Sequence, residues 1–278
     1  MLPNPVEPPA SLQALQQELE AVFAKVPGTF GMAVVDLTTG EEMGIQPDRV
    51  FPAASTYKLP LAMYVLNEVA EGRASLEDMV EFKKEDWQGG AGVLQNTIKE
   101  GDKVSVKQLV ELAITQSDNI AAMMLRRHFG PSNFAAYRQQ MGETQLYWTD
   151  ASGELYFGAT PRAMTRYLIA LYRGEGIAAP ALNKYLLDLL CRTAWRDRID
   201  GGVPDSVPVA HKVGTLDGII NDVGLVLHPT RPYVMTFYSQ GLEHYEDGVA
   251  VAEYASRRVY EYFSAVAEGK LANSEPGQ

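Results

Sequence analysis

Apolar positions near both ends of the chain follow helix and strand periods. After Ser11, apolar residues recur every three or four positions up to residue 23 and stop before Pro27-Gly28, which predicts a helix with Ser11 as its N-cap. A second amphipathic pattern predicts a closing helix over residues 247–266. Runs of β-branched and apolar residues predict five strands, over residues 30–37, 42–45, 207–213, 219–228 and 233–239, with a turn at Thr39-Gly40.

The middle of the chain has helical patterns instead. Helix starts are indicated at Ser75, Ser105, Ser132 and Thr160, and no convincing strand lies between Ser55 and about residue 193. Hairpin-length loops make the three late strands antiparallel neighbours, and the two early strands must join them to bury their apolar faces. We therefore predict an α/β (α+β) fold with a five-stranded antiparallel sheet, built from both chain ends and flanked by the terminal helices.

The same patterns predict how the chain divides into domains. Residues 11–52 and 200–268 form a discontinuous sheet domain, and residues 53–199 form an all-helical domain inserted into it. Residues 1–10 and 269–278 are rich in turn formers and are expected to be tails.

Composition excludes several classes of protein. The 278 residues are 46% hydrophobic, which is ample for a packed core. A net charge of −11 with no basic run argues against a nucleic-acid partner, and no apolar run approaches the roughly 20 residues of a membrane span. We expect a monomer without a transmembrane segment. No signal-peptide pattern precedes the first helix, so the chain as it stands is expected in the cytoplasm, or outside it if a leader was removed.

Cysteine and histidine usage argues against disulfides and metal centres. The single cysteine, Cys191, excludes an intrachain disulfide, and the four scattered histidines lack metal-ligand spacing. We therefore expect neither a metal nor another cofactor. Cys191, Met123 and Met124 fit buried core positions.

A serine and a lysine stand one helical turn apart where an apolar helical pattern begins. Ser55 is followed three residues later by Lys58, so the two side chains share one face at a helix N-terminus. Serine is too weakly acidic to attack unaided, and a lysine that readily loses its own proton can take the serine proton. By itself so short a pattern more often marks an N-cap beside a solvated lysine, because it arises frequently by chance.

Two further motifs follow in the chain. Ser117-Asp118-Asn119 lies between two predicted helices and is by itself a typical capping sequence. The segment 211–215 (HKVGT) ends a predicted strand, and its glycine, Gly214, permits close approach to the backbone. In this order, and in register with the predicted elements, the three motifs resemble those of the penicillin-recognising serine hydrolases, most closely the class A β-lactamase-like enzymes. The likeness covers nearly the whole chain.

The resemblance implies a role for each motif residue. Ser55 would be acylated by a cyclic or peptide amide, Lys58 would help to remove its proton, and Ser117 would pass a proton to the departing nitrogen. Asn119 would bind the amide of the substrate side chain. Lys212 would supply a positive field for the Ser117 hydroxyl and the substrate carboxylate.

The resemblance also implies contributions from the backbone. The N–H groups of Ser55 and Thr215 would form the oxyanion hole, beside Gly214. The glycines of residues 89–92 fit a loop on the rim of the cleft, and they fit a plain surface turn equally well.

The third motif departs from the family pattern at one position. Val213 stands where the family usually has a threonine or serine whose hydroxyl binds the substrate carboxylate. Thr215, or the guanidinium of Arg196 or Arg198, could replace that hydrogen bond. Arg198 is our candidate.

A second departure concerns the water that would cleave the acyl-enzyme. The family's ExxLN loop, whose glutamate activates that water, is absent, and a shortened loop offers Glu143, Asp150 and Glu154. Glu154 lies nearest the expected place in the sequence and is our candidate base. An exposed carboxylate with no catalytic role is the alternative.

The sequence therefore predicts a serine hydrolase that opens β-lactams through an acyl-Ser55 intermediate. One alternative is a penicillin-binding D-Ala-D-Ala peptidase, amidase or esterase with weak lactam turnover, because the loop glutamate is missing. Another is a non-catalytic sensor of a lactam or cell-wall peptide. In each case the expected partner is a small molecule, either a β-lactam or a D-Ala peptide-like compound.

Overall fold

The computed structural model describes residues 2–3 and 7–271. In chain order its helices are α1 (Leu12–Phe23), α2 (Lys58–Ala70), α3 (Val106–Thr115), α4 (Asn119–Phe129), α5 (Pro131–Gln140), α6 (Pro161–Arg173), α7 (Pro180–Leu190) and α8 (Tyr245–Ala267). Its strands are β1 (Thr29–Asp36), β2 (Glu42–Ile45), β3 (Phe51–Pro52), β4 (Met79–Glu81), β5 (Lys103–Ser105), β6 (Tyr147–Thr149), β7 (Leu155–Ala159), β8 (Val209–Leu216), β9 (Ile219–Val226) and β10 (Tyr233–Gln240).

A five-stranded antiparallel sheet joins the two ends of the chain. Its strand order is β2-β1-β10-β9-β8, so the N-terminal hairpin pairs with the last strand of the C-terminal meander. Gly40 has a φ of +78°, the left-handed conformation that the tight β1–β2 turn requires. The predicted sheet is confirmed, and β8 runs to Leu216, so the whole third motif lies on its edge strand.

Each face of the sheet is covered by a different set of helices. Helices α1 and α8 pack on one face, with Ser11 capping α1 through a 3.0 Å bond from the Ala14 N–H to Ser11 Oγ. The other face packs against α2, α6 and the helices that follow α2 in the chain. There Thr236 Oγ1 of β10 donates to the Pro161 carbonyl of α6 over 3.1 Å.

The helical side is not entirely helical. Residues 53–199 contain the short strands β4, β5, β6 and β7, so the prediction of an all-helical segment is wrong there. No helix follows Ser75, because the Asp78 carboxylate accepts its N–H over 2.7 Å and closes a turn before β4. Ser105 and Thr160 do cap α3 and α6 as predicted. In the described ranges no helix has both the length and the hydropathy to span a membrane.

Candidate active site

Ser55 lies on a short 3₁₀ turn that connects β3 to α2. The turn spans Ala54–Tyr57, and α2 continues directly from Lys58. Ala54 has a φ of +46°, which a residue with a side chain rarely adopts. Asn221 of β9 braces the approach by donating from Nδ2 to the Pro52 carbonyl over 2.8 Å. Because Ser55 lies in the first turn of this helical segment, its N–H has no intrahelical acceptor and can donate to a ligand.

Lys58 joins the first two motifs. Its Nζ lies 3.1 Å from Ser55 Oγ and 3.3 Å from Ser117 Oγ. It donates to the Ser117 carbonyl over 2.5 Å and to Asn119 Oδ1 over 2.7 Å. The side chain is fully buried, and this burial lowers the pKa of Lys58 from 10.5 to about 7, although the Asp118 carboxylate opposes the effect. A substantial fraction of Lys58 is therefore an uncharged amine near neutral pH.

Ser117 lies between the two buried lysines. Its φ of +52° marks the sharp turn between α3 and α4, and its side chain is buried. Lys212 Nζ on β8 lies 3.0 Å from Ser117 Oγ and donates to the Val213 carbonyl over 2.9 Å. Burial holds the pKa of Lys212 well below its ordinary value, and the neighbouring Lys58 lowers it further. The serine and lysine atoms thus form a continuous chain from Ser55 Oγ to Lys212 Nζ.

Asp118 and Asn119 fix the rim of the site. Asp118 caps α4 and also accepts the N–H groups of Val93 and Leu94, over 2.7 and 2.9 Å. Asn119 donates from Nδ2 to the Gly89 carbonyl over 2.8 Å while its Oδ1 accepts from Lys58. These bonds hold the glycine-rich segment 89–92 over Asn119, on the wall of the cleft.

Gly214 permits β8 to approach the nucleophile. A Cβ at this position would lie 2.9 Å from the Ala53 carbonyl oxygen and 3.1 Å from the Ser55 nitrogen. These neighbours are backbone atoms and cannot rotate away. The next residue, Thr215, is exposed and lines the cleft together with Ser55.

Arg198, but not Arg196, lies beside the third motif. Arg198 Nη2 donates to Thr215 Oγ1 over 2.7 Å and to Tyr245 Oη over 3.2 Å. Its side chain is fully buried behind the cleft wall, and its Nη1 forms an ion pair with Asp197 Oδ1 over 3.7 Å. Arg196 instead pairs with Asp200 over 2.9 Å, at a separate cavity behind β8. Val213 is buried and offers no hydroxyl, so Thr215, held by Arg198, is the polar side chain that β8 presents to the cleft.

The three carboxylates of the shortened loop have different environments. The loop folds into the β6–β7 hairpin, and Asp150 closes its turn by accepting the Glu154 N–H over 2.9 Å. Glu143 is buried and pairs with Arg138, whose Nε donates to it over 2.9 Å. Glu154 is exposed and lines the cleft. Within residues 7–271, no carboxylate hydrogen-bonds to Ser55.

His211 lies behind the site. Neighbouring residues of a strand face opposite ways, so His211 points away from the face that carries Lys212. Its Nδ1 lies 3.0 Å from the buried Asp222 carboxylate, which also accepts the Ile199 N–H over 3.1 Å. No group of three or more His, Cys, Asp or Glu residues in the part of the chain that the structure describes could hold a metal ion.

A cleft of about 610 Å³ opens in front of Ser55. Asn119 and Thr215 lie on its walls with Ser55, and the remaining walls include the side chains of Trp87, Met123, Arg126, Tyr147, Tyr156 and Phe157. Away from the nucleophile the cleft is therefore largely aromatic, with Arg126 and Glu154 as charged residues on its wall, and such a mixture is typical of sites for small organic ligands.

Comparison with known proteins agrees with this geometry. The model of the beta-lactamase enzyme family matches residues 14–263. The chain belongs to the beta-lactamase enzyme family. It is 28% identical to the extended-spectrum beta-lactamase PER-1 of Pseudomonas aeruginosa, over 92% of this chain and 89% of that protein. It is 27% identical to the carbapenem-hydrolyzing beta-lactamase KPC of Klebsiella oxytoca, over 83% of each chain.

Solved structures give the same result for this beta-lactamase family member. The structure of PBP-A has a TM-score of 0.85 and 26% identity, covering 93% of this chain and 99% of that one. An ancestral class A beta-lactamase has a TM-score of 0.81 and 30% identity, covering 89% and 99%. The predicted identification is confirmed: the chain is a class A β-lactamase-like serine hydrolase.

Sequence reasoning missed part of the cleft. Met124 is buried in the core as predicted, but Met123 lines the cleft and that prediction is wrong. Cys191 is only partly buried, on the edge of the core. The signal for the missed wall was present, since Asn119, Met123 and Arg126 have the spacing of one helical face.

Proposed function

We propose that this enzyme hydrolyses β-lactams through an ester on Ser55. The observation that carries the proposal is the unbroken set of contacts from Ser55 Oγ through Lys58 Nζ and Ser117 Oγ to Lys212 Nζ. A nucleophile, a base and a proton relay therefore lie within one cleft.

Lys58 activates the nucleophile. Its uncharged amine takes the Ser55 proton as Ser55 Oγ attacks the lactam carbonyl carbon. The lowered pKa of Lys58 supports this role, because an amine with a pKa near 7 is unprotonated often enough to act as a base at neutral pH.

Ser117 protonates the leaving nitrogen. As the C–N bond of the tetrahedral intermediate breaks, the nitrogen takes the Ser117 hydroxyl proton. Ser117 regains a proton from Lys58, so no net charge is lost or gained in acylation. Lys212, 3.0 Å from Ser117 Oγ, orients this hydroxyl.

The backbone and Arg198 complete the substrate site. The N–H groups of Ser55 and Thr215 stabilise the oxyanion, and each such donor is worth about 10²–10³ in rate where tested. Arg198 donates to Thr215 Oγ1 and so orients that hydroxyl, which binds the substrate carboxylate in place of the hydroxyl that Val213 lacks.

Glu154 is the proposed base for hydrolysis of the ester. It lines the cleft, whereas Glu143 is paired with Arg138 and Asp150 closes the hairpin turn. A water attacks the ester carbonyl while Glu154 takes its proton, and as the ester C–O bond breaks that proton passes to Ser55 Oγ, which restores both the hydroxyl and the Glu154 carboxylate. A solved PBP-A mutant in an acyl-enzyme complex with penicillin-G supports the use of such an ester on this scaffold.

Steady-state turnover of a chromogenic cephalosporin tests the proposal. The wild type is expected to hydrolyse many equivalents, and Ser55→Ala to hydrolyse none above the uncatalysed rate. Thr38→Ala, at an exposed position of the β1–β2 turn, is the control for mutation alone and should keep wild-type turnover. If the wild type hydrolyses the cephalosporin no faster than Ser55→Ala does, the proposal is wrong. A further assay would then be needed to distinguish a peptidase from a sensor.

We also propose that the enzyme acts as a monomer. All the residues assigned a role above come from one chain, so no second copy is needed to complete the cleft. Size-exclusion chromatography with light scattering checks this, and a dimer at assay concentration would contradict it.

A further inference from the structure

One wall of the cleft is a single face of α4. Asn119, Met123 and Arg126 all line the cleft, and their spacing of four and three residues places them on one side of the helix. The wall therefore presents, in order from the nucleophile, an amide, an apolar side chain and a cation.

Arg126 is a cation without an acidic partner. Its guanidinium carbon lies 5.4 Å from the centre of the Phe157 ring, and no ion pair joins it to a carboxylate within residues 7–271. The adjacent Arg127 differs, because its Nε donates to the buried Asp86 carboxylate over 2.7 Å. Arg126 thus keeps its charge available to a ligand in the cleft.

The surroundings of Arg126 strengthen any interaction with an anion. The Phe157 ring also stacks on Tyr57, with ring centroids 4.3 Å apart, so one side of the guanidinium faces an aromatic wall. The other charged side chain that lines the cleft is Glu154, which is exposed and hydrogen-bonds to Tyr156. Exclusion of water by the aromatic wall raises the effective strength of a charge pair.

The spacing along α4 sets the length of the ligand. Arg126 follows Asn119 by seven residues, which is about 10 Å along a helix. Helical side chains lean toward the N-terminus, so the guanidinium reaches back toward Asn119. A flexible side chain lying over Met123 would connect an amide bound at Asn119 to a carboxylate at Arg126.

We propose that Arg126 selects β-lactams whose amide side chain ends in a carboxylate. The inference rests on the proposed function, since it assumes that the substrate's side-chain amide binds Asn119. Arg126 is a specificity-determining residue and takes no part in bond making or breaking.

The test uses two cephalosporins that differ only in this charge. One carries an adipoyl side chain with a free terminal carboxylate, and the other carries the methyl ester of the same side chain. We compare kcat/KM for ring opening with the wild type, Arg126→Gln and Arg126→Lys. The matched control is Arg173→Gln, which removes one positive charge from an exposed position at the end of α6, away from the cleft.

The wild type is expected to prefer the acid over the ester by about tenfold, a ratio that shrinks as salt is added. Arg126→Gln should bring the ratio of acid to ester to about one, because kcat/KM falls for the acid alone. Arg126→Lys should keep part of the preference for the acid, and Arg173→Gln should keep all of it. If Arg126→Gln opens both compounds with the wild-type ratio of kcat/KM for acid over ester, this inference is overturned and the proposed function still stands. Failure of the wild type to open either compound overturns both.

Discussion

Burial of Lys58 predicts a measurable dependence of stability on pH. The pKa of Lys58 falls from 10.5 to about 7 on folding because the side chain leaves water. Between these two values the unfolded chain binds a proton that the folded chain does not. The free energy of unfolding therefore rises with pH across this window, by up to about 1.4 kcal/mol per pH unit from this residue alone.

The full effect is large enough to detect. Lowering the pKa from 10.5 to about 7 corresponds to about 5 kcal/mol between the two ends of the window. Below about pH 7 both states carry the proton, so the contribution of Lys58 stays at its most unfavourable value.

The variant Lys58→Met removes this contribution. It also leaves Asn119 Oδ1 and the Ser117 carbonyl without a donor, which costs about 1–3 kcal/mol for each unsatisfied group. The stability difference from the wild type at a single pH mixes these effects, whereas its change with pH isolates the ionisation. Loss of Lys58 also lets the pKa of Lys212 rise, because Lys58 is one of the causes that lower it, and this steepens the difference.

Denaturant unfolding from about pH 7 to about pH 9 measures the effect. The wild type should gain at least about 1 kcal/mol per pH unit relative to Lys58→Met. Lys107→Met is the matched control, because Lys107 is exposed on α3 and remains in water in both states. Its difference from the wild type should not change with pH. A difference between the wild type and Lys58→Met that is equally constant would refute the reasoning that burial has changed the ionisation of this amine.

Three further predictions concern activity. The rate of Ser55 acylation, measured by stopped flow, should rise with pH through about 7 as Lys58 loses its proton, and a flat profile would contradict a base of this pKa. Glu154→Gln should leave the rate of acylation unchanged and slow deacylation by about 10²–10⁴. The acyl-enzyme should then accumulate in intact-mass spectra. An unchanged rate of deacylation would exclude Glu154 as the base. Gly214→Ala should lower kcat/KM by about 10²-fold, because the new Cβ would lie 2.9 Å from the Ala53 carbonyl oxygen and displace the oxyanion hole. Wild-type values of kcat/KM in this variant would contradict the prediction.

The sheet was predictable from sequence because its signals are local. Continuous apolar and β-branched runs marked each strand, and the amphipathic terminal patterns marked the two helices that cover one face. The cap residues Ser11, Ser105 and Thr160 fixed helix starts for the same reason, since each bonds an N–H three residues ahead. The segment after Ser75 had a similar cap signal, but pairing of β4 with β5 prevailed over it.

The parts of the site that could not be predicted depend on long-range contacts. The carboxylate of Asp118 holds residues 93 and 94, and no local pattern connects these positions. The same applies to Arg196 and Arg198, which are two residues apart yet have different partners, Asp200 for Arg196 and Thr215 for Arg198. For the loop carboxylates the sequence left three candidates, and only the folded hairpin distinguishes their environments. Arginine, aspartate and glutamate are mostly exposed in proteins, so residue type alone could not tell these five positions apart.

The most direct test of the central claim is intact-mass spectrometry after rapid mixing with a penicillin, followed by peptide mapping. The wild type should gain the mass of one whole penicillin, on the peptide that contains Ser55, and then lose it as the ester is hydrolysed. Ser55→Ala should show no gain at any time. An adduct on another residue, or turnover by Ser55→Ala at the wild-type rate, would contradict the account.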